Sequence, residues 1–554
     1  MTSMITATTW VRRGVAAQFP DKYELDEEEI NRISELARIQ LEDAKVDLKT
    51  AQEEKQDDEM DLGGQEETTA ESFSKAEGKE KGTEIDKSEG NANDDELKEY
   101  DMDHYDSDAL DEDGEEVTMF GNVKSLAYHQ PHEDDPYLVI PEGEDDDDER
   151  EELQILPSDN LILAGKVEDE VAHLEVYVYE DAEDNLYVHH DIMLPAIPLC
   201  LEWLDIPVGR GSENRSYGNF VAVGTMEPDI EVWDLDVVDC MYPNAILGQG
   251  GEEEGTNTKK KKKKSKKAND NYHVDSVLAL AANRQHRNLL ASGSADQTVK
   301  LWDLNTLKCA KSYANHKDKI CSLDWHPKES TILLSGSYDK TIVAADMRAP
   351  EAKAARFCVD NDVENVRWDP HDPNFFYVTT DSGIVYCHDI RNASANAESI
   401  KPLWTLQAHN SSVSAFDVNR YIPGFIVTGS TDRQVKLWNI EDNRPSMVVS
   451  RKLEVGKVFS TTFAPDREVR FRLAVAGSRG IVQVWDTSTN AAVRRAFADR
   501  LGASIQISET KEERLVGVTQ DDNEDSDNDS ETNAGERQGQ AGVGRDGWES
   551  IEED

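Results

Sequence analysis

A chain of 554 residues with 31% charged side chains and a formal net charge of −55 is long enough for a large core but too polar to pack throughout. The acidity is uneven: residues 271–500 hold 29 Lys+Arg against 26 Asp+Glu, and the rest holds 30 against 88, so a near-neutral body is flanked by acidic segments. Six cysteines without a CxxC pair or a His ladder exclude a disulfide framework or zinc module, and no run reaches the roughly 18 apolar residues of a membrane span. Reduced thiols and an N-terminus without a signal-like apolar core are expected of a soluble intracellular protein.

The extreme N-terminus carries Trp10, Arg12, Arg13 and Phe19 among small residues. Next, Ile30, Ile33, Leu36, Ala37, Leu41, Ala44 and Leu48 recur at helical spacing, and Asp26 with Glu29 forms a capping-box pattern. This predicts an amphipathic helix over about 26–54, docked on the chain's own body or on a partner; the stripe does not say which. An aperiodic, Glu/Asp/Lys/Gly/Ser-rich stretch follows and is expected to be disordered. "VTMFGNVKSLAYH" (117–129) reads as an early strand, and "EGEDDDDEREE" (142–152) as acidic linker.

Internal repeats organise the middle. "HVDSVLALAANRQHRNLLASGSADQTVKLWD" begins at His273, "HKDKICSLDWHPKESTILLSGSYDKTIVAAD" at His316 and "HNSSVSAFDVNRYIPGFIVTGSTDRQVKLWN" at His409. A hydroxyl follows each His by 19 positions (Ser292, Ser335, Thr428) and an Asp by 23 (Asp296, Asp339, Asp432). Trp302 and Trp438 follow by 29, where the middle copy has Ala345. Looser copies lie at 160–194, 224–234 (Glu227 in place of the Asp), 379–389 and 476–486 (Arg479 in place of the Asp). Seven runs of short period-2 strands at spacings near 40 residues predict a seven-bladed β-propeller over 117–500 with all-β architecture. Residues 1–116 form an N-terminal extension and 501–554 an acidic tail on this reading, and a strand near 117–129 would help to close the ring.

Between the second and third repeats, Lys259, Lys260, Lys261, Lys262, Lys263, Lys264, Lys266 and Lys267 crowd nine positions of an insertion, 240–271, expected to be an exposed disordered loop. Such like charges repel unless a receptor or polyanion uses them, so nuclear import, RNA contact or both are implied.

The repeats resemble the WD-repeat family. In that family the His, hydroxyl, Asp and Trp form a hydrogen-bonded tetrad within one blade. The resemblance implies tetrads His273/Ser292/Asp296/Trp302 and His409/Thr428/Asp432/Trp438, and a partial one, His316/Ser335/Asp339, because Ala345 cannot donate. Recurrence of one Ser–His–Asp trio at identical offsets argues for structural glue rather than a catalytic triad. The chain shows no GxxxxGK[ST], HExxH or GxSxG, and the expectation is a non-enzyme without cofactor or small-molecule substrate.

Function is then expected from surfaces. The residue before each turn Asp (Ala295, Tyr338, Thr431) should point to one face, where Tyr338 beside Lys317 and Lys340 is a candidate contact. Arg356, Arg367, Lys457, Arg470, Arg472 and Arg479, with Trp10, Arg12 and Arg13, complete the candidate partner or RNA surface. Ser526 and Ser550, each followed three positions later by an acid, suit an acid-directed kinase. The N-terminus, the acidic block before the first blade, the Lys-rich insertion and the blade tryptophans together resemble the periodic tryptophan protein 1 family. That resemblance implies a nuclear and nucleolar assembly factor for the large ribosomal subunit, working with other assembly factors on pre-ribosomal RNA; the acidic arms add basic ribosomal proteins as expected partners, and no membrane role is expected. A nuclear chromatin or histone-binding adaptor is the competing reading.

Overall fold

The computed structural model describes residues 3–23, 153–209, 215–248, 269–349, 354–393, 400–497, 500 and 514–518. The predicted helix at 26–54, the strand at 117–129, the acidic blocks, the lysine run, Ser526 and Ser550 lie outside them.

Seven antiparallel sheets of four strands make the blades. Their strands are termed a to d from the axis outward. The inner strands are Ser3–Val11, Pro198–Leu204, Val277–Ala282, Ile320–Trp325, Val363–Trp368, Ala415–Val418 and Val458–Phe463. Each touches the next, and Val458–Phe463 returns to Ser3–Val11, so the circle closes.

Strand b of each blade is buried on both faces between its neighbours, which is why "FVAVGT" and "RLAVAG" read as near-continuous apolar runs. Outer strands such as Lys308–Tyr313 and Arg444–Arg451 are largely exposed and alternate in polarity. The repeated Gly-Ser has a packing cause. A Cβ on Gly293 would sit 2.8 Å from Ile320 Cγ2, and one on Gly429 2.5 Å from Val458 Cγ1. Both neighbours open the inner strand of the following blade, so the glycine sets how closely blades approach.

The blade count agrees with the repeats, but three strands arise where extensions or insertions were expected. Strand a of the first blade is Ser3–Val11, antiparallel to Asn160–Glu168 across a gap of some 150 residues. Strand d of the second blade is Ala245–Leu247, within the expected disordered insertion. Strand d of the seventh is Leu515–Gly517, within the expected tail. These pairings are non-local, and two of the strands are three residues long, too short to show period 2.

The first-to-seventh seam is therefore the closure. Ile5, Trp10, Ile162, Ala164, Tyr177 and Tyr179 pack against Ala474, Ala476, Val482 and Val484. Trp10 is 6% exposed, donates Nε1–H to the Thr462 carbonyl at 3.0 Å and meets Tyr179 edge-on at 6.0 Å. Buried Arg472 bonds Asp181 and Asp486, each at 2.6 Å. Arg13 reaches Asn160 Oδ1 at 2.8 Å and Asp181 at 3.7 Å.

Candidate partner-binding surfaces

The recurring His/Ser/Asp/Trp sets are internal. His273 Nε2 lies 2.6 Å from Ser292 Oγ and its Nδ1 lies 2.9 Å from Asp296, while Trp302 Nε1 donates to Ser292 Oγ at 2.8 Å. The His273 side chain is fully buried. His409 repeats the chain with Asp432 at 3.0 Å, Thr428 at 2.8 Å and Trp438 donating to Thr428 at 2.9 Å. The indole N–H donates to the hydroxyl, the hydroxyl to Nε2, and Nδ1–H to the carboxylate, so a neutral imidazole satisfies every atom. In the fourth blade His316 keeps Ser335 (2.8 Å) and Asp339 (3.2 Å), and with Ala345 opposite, the hydroxyl lies 3.3 Å from the Val343 carbonyl instead.

Burial lowers the His273 and His409 pKa values despite their carboxylate partners. Burial by itself would raise Asp296, but His273 and Thr298 hold it down at about 2. Elsewhere the tetrad is replaced. Trp233 donates to Glu231 at 3.2 Å, and burial raises that carboxyl to about 7. His388 occupies the Trp position of the fifth blade, stacked on Phe376 at 5.4 Å, with burial lowering it to about 4.

The His–Asp bonds of the third, fourth and sixth blades hold the start of strand a against the b–c turn, so both lie on one face of the ring, and the ends of strand a lie on the other. The residue after the turn Asp (Gln297, Lys340, Arg433) has φ of 69°, 64° and 67°, where the fifth and seventh blades place Gly383 and Gly480. Tyr338 is half-buried on this face, with Lys319 Nζ 4.6 Å from its ring centre. Burial first, and then the charges of Glu364, Asp362 and Asp381, push its hydroxyl pKa well up. Exposed Lys317, Lys340, Lys457 and Arg479 share the face. Acids (Glu227, Asp275, Asp318, Asp360, Asp381) are spread over blades two to five, where the fourth also carries Lys317, Lys319 and Lys340, and Arg433, Lys457 and Arg479 stand over six and seven.

The expected basic stripe does not form as one surface. Trp10 and Arg472 are core residues of the closure, and Arg13 is tied to Asn160. Half-buried Arg356 bonds Thr341 Oγ1 at 3.1 Å along its own blade, and half-buried Arg367 bonds the Val366 carbonyl at 3.1 Å. Half-buried Arg470 and exposed Arg12 lie near the opposite face. Trp203 and Trp368, 6% and 3% exposed, pack within the ring, as their places near strand ends suggest.

Around the axis, carboxylates latch one inner strand to the next. Asp324 accepts the Trp368 N–H at 2.7 Å, Asp417 the Phe463 N–H at 2.7 Å, and Glu202 the Ala282 N–H at 3.2 Å. The sequence offers no motif for this set, because the residues are far apart and only the repeat register aligns them. No group of three or more potential metal ligands occurs among the described residues.

Comparison with known proteins agrees with this architecture. The WD40 family (WD domain, G-beta repeat) matches residues 268–303, 307–344 and 400–439. An uncharacterized WD repeat-containing protein of Schizosaccharomyces pombe is 49% identical, covering 93% of this chain and 94% of that protein. Periodic tryptophan protein 1 of Saccharomyces cerevisiae is 37% identical over 93% of each chain. A Drosophila melanogaster periodic tryptophan protein 1 homolog is 30% identical, covering 89% of this chain and 96% of its own. Full-length similarity of this kind, on a closed ring whose repeats carry the tetrads, makes the chain a member of the periodic tryptophan protein 1 family of WD-repeat proteins.

Proposed function

We propose that this protein is a non-enzymatic scaffold in large ribosomal subunit assembly, acting in the nucleus and nucleolus. Family membership supports this reading, and so does the arrangement of the ring. The carrying observation is that the histidines of the recurring sets are consumed in buried hydrogen bonds, leaving two chemically different outer faces on a rigid body.

The carboxylates of the tetrad face around the fifth blade (Asp360, Asp362, Asp381) suit a basic segment of a ribosomal protein or assembly factor. Tyr338, its ring already faced by Lys319 at 4.6 Å, adds an apolar edge beside Glu364, Asp362 and Asp381, and these carboxylates can ion-pair with an incoming Lys or Arg. The lysines at 259–267 add a nuclear import signal or a contact to pre-ribosomal RNA, and Ser526 and Ser550 are modification sites on this reading.

Affinity purification of the full chain from nuclear extract tests it. Pre-ribosomal RNA and large-subunit assembly factors should co-purify, and Tyr338→Ala should reduce part of the protein set while leaving the RNA. Recovery of core histones without ribosomal precursors would replace this reading with the chromatin adaptor.

A further inference from the structure

Resting on that reading, we infer that the channel mouth opposite the tetrads is a single-stranded RNA phosphate site formed by Arg12, Arg284 and Arg420. Register places them there. Thr9, Glu202, Ala281, Asp324, Arg367, Asp417 and Thr462 occupy one equivalent position of the seven inner strands, opposite Leu163, Ala222, Ala291, Leu334, Tyr377, Val427 and Ala474. Three residues further on, where strand a leaves the axis, the first, third and sixth blades carry Arg12, Arg284 and Arg420. All three are exposed.

The three charges share one mouth of the channel. Arg284 is packed round by the ring yet its side chain is 40% open to solvent, and it bonds Glu202 at 2.6 Å and the Trp203 carbonyl at 2.9 Å. Burial first, and then the charges of Arg420 and Arg12 on other blades, lower its pKa against the pull of Glu202 and Asp205. The carboxylates beneath are already engaged by backbone N–H groups, and Arg367 stands among them. An incoming anionic backbone therefore meets three guanidinium forks around one mouth, which suits up to three phosphates.

Exposed aromatic rings stand in the loops of the same mouth. Tyr421 follows Arg420, is 40% exposed and is held by its hydroxyl to the Pro465 carbonyl at 2.8 Å. Tyr217, 75% exposed, lies 5.4 Å from the Arg287 guanidinium. Fixed guanidiniums beside exposed flat rings grip a backbone and stack its bases, and every base offers a face to stack. An acidic peptide would use the charges and leave the rings idle, so RNA is the favoured occupant.

The test uses the full-length protein and a fluorescein-labelled dodecauridylate, with a polyglutamate peptide of equal length as the second arm. The Arg12→Gln/Arg284→Gln/Arg420→Gln variant should bind the RNA about 10-fold or more weakly, with a slope of log affinity against log salt shallower by about 2. Tyr421→Ala and Tyr217→Ala should each weaken RNA binding about 5-fold and leave polyglutamate unchanged. Lys317→Gln/Lys340→Gln/Lys457→Gln, on the other face, should keep wild-type affinity. If the triple Arg variant misfolds, Arg420→Gln alone should lower affinity about 3-fold and the slope by about 0.7. A folded triple variant with wild-type RNA affinity and slope overturns the site while leaving the assembly reading in place. Loss of polyglutamate binding alone reassigns the mouth to an acidic protein. A wild-type chain that ignores the RNA yet co-purifies with pre-ribosomal RNA overturns the site only; one that does neither overturns both.

Discussion

Trp302 and Ala345 answer one question at the level of single residues: what a tetrad contributes when its last donor is removed. Trp302 donates to a hydroxyl with no exposure to water, whereas Ala345 leaves Ser335 near a carbonyl that already pairs in the sheet. Trp302→Phe keeps most of the packing and removes one buried hydrogen bond, so it should cost about 1 kcal/mol in chemical denaturation. Acid should weaken the tetrads. The unfolded histidines take up a proton near 6.5 and the buried ones resist it, so their contribution is full above 6.5 and is lost as pH falls below that value. Asp296 adds stability above 3.8 that is lost as pH falls toward about 2. Asp324 has the opposite sign. Burial raises it to about 6, so the folded state is favoured when the carboxyl is protonated and loses stability as pH rises through 6. Asp324→Asn should therefore stabilise the ring by about 1–2 kcal/mol at pH 8 and be neutral near pH 4, read from denaturation midpoints at the two pH values.

The first inner strand decides the most among the elements. Ser3–Val11 is paired along most of its length with Asn160–Glu168 and packed against the seventh blade, so its loss opens the ring at one seam. Trp10→Ala empties a volume enclosed by Tyr179 and the seventh blade and orphans the Thr462 carbonyl. It should cost about 3–5 kcal/mol and show in a lowered denaturation midpoint, whereas Arg12→Ala, one exposed position past the strand, should cost less than about 0.5 kcal/mol. Legibility in the sequence follows the same division. The third, fourth and sixth blades are readable because His, hydroxyl and Asp recur at constant offsets, and the offsets are constant because each set sits within one hairpin-linked sheet. The strand at Ser3–Val11 carries no such ruler. Its Trp10 resembles an exposed anchor in sequence, and only its partner strand some 150 residues away makes it a core residue.

For the whole molecule, the long acidic insertion between Tyr23 and Leu153 is closed by the fold at both ends: the Ile155 N–H donates to the Gln18 carbonyl at 2.9 Å. Replacing residues 24–152 with a Gly/Ser linker of about 12 residues shortens the loop that strand pairing must close. The shortened chain should be about 1–2 kcal/mol more stable in denaturation, provided the ring folds without the insertion; a loss of cooperativity would show that the insertion packs on it. The placement of the proposed RNA site also belongs to this scale. Arg12, Arg284 and Arg420 are separated by more than a hundred residues at each step and share no local motif, so nothing in their immediate sequence marks them as neighbours.

The sequence by itself determined the blade count, the all-β class and the internal use of His, Ser/Thr, Asp and Trp, because these are written in short-range spacing that one sheet reads directly. Only the tertiary structure decided which strand completes the circle, which arginines stand on one mouth of the channel and which tryptophan is buried. Those outcomes depend on superposing equivalent positions from distant repeats around a common axis, and chain order does not encode which of those positions face one another.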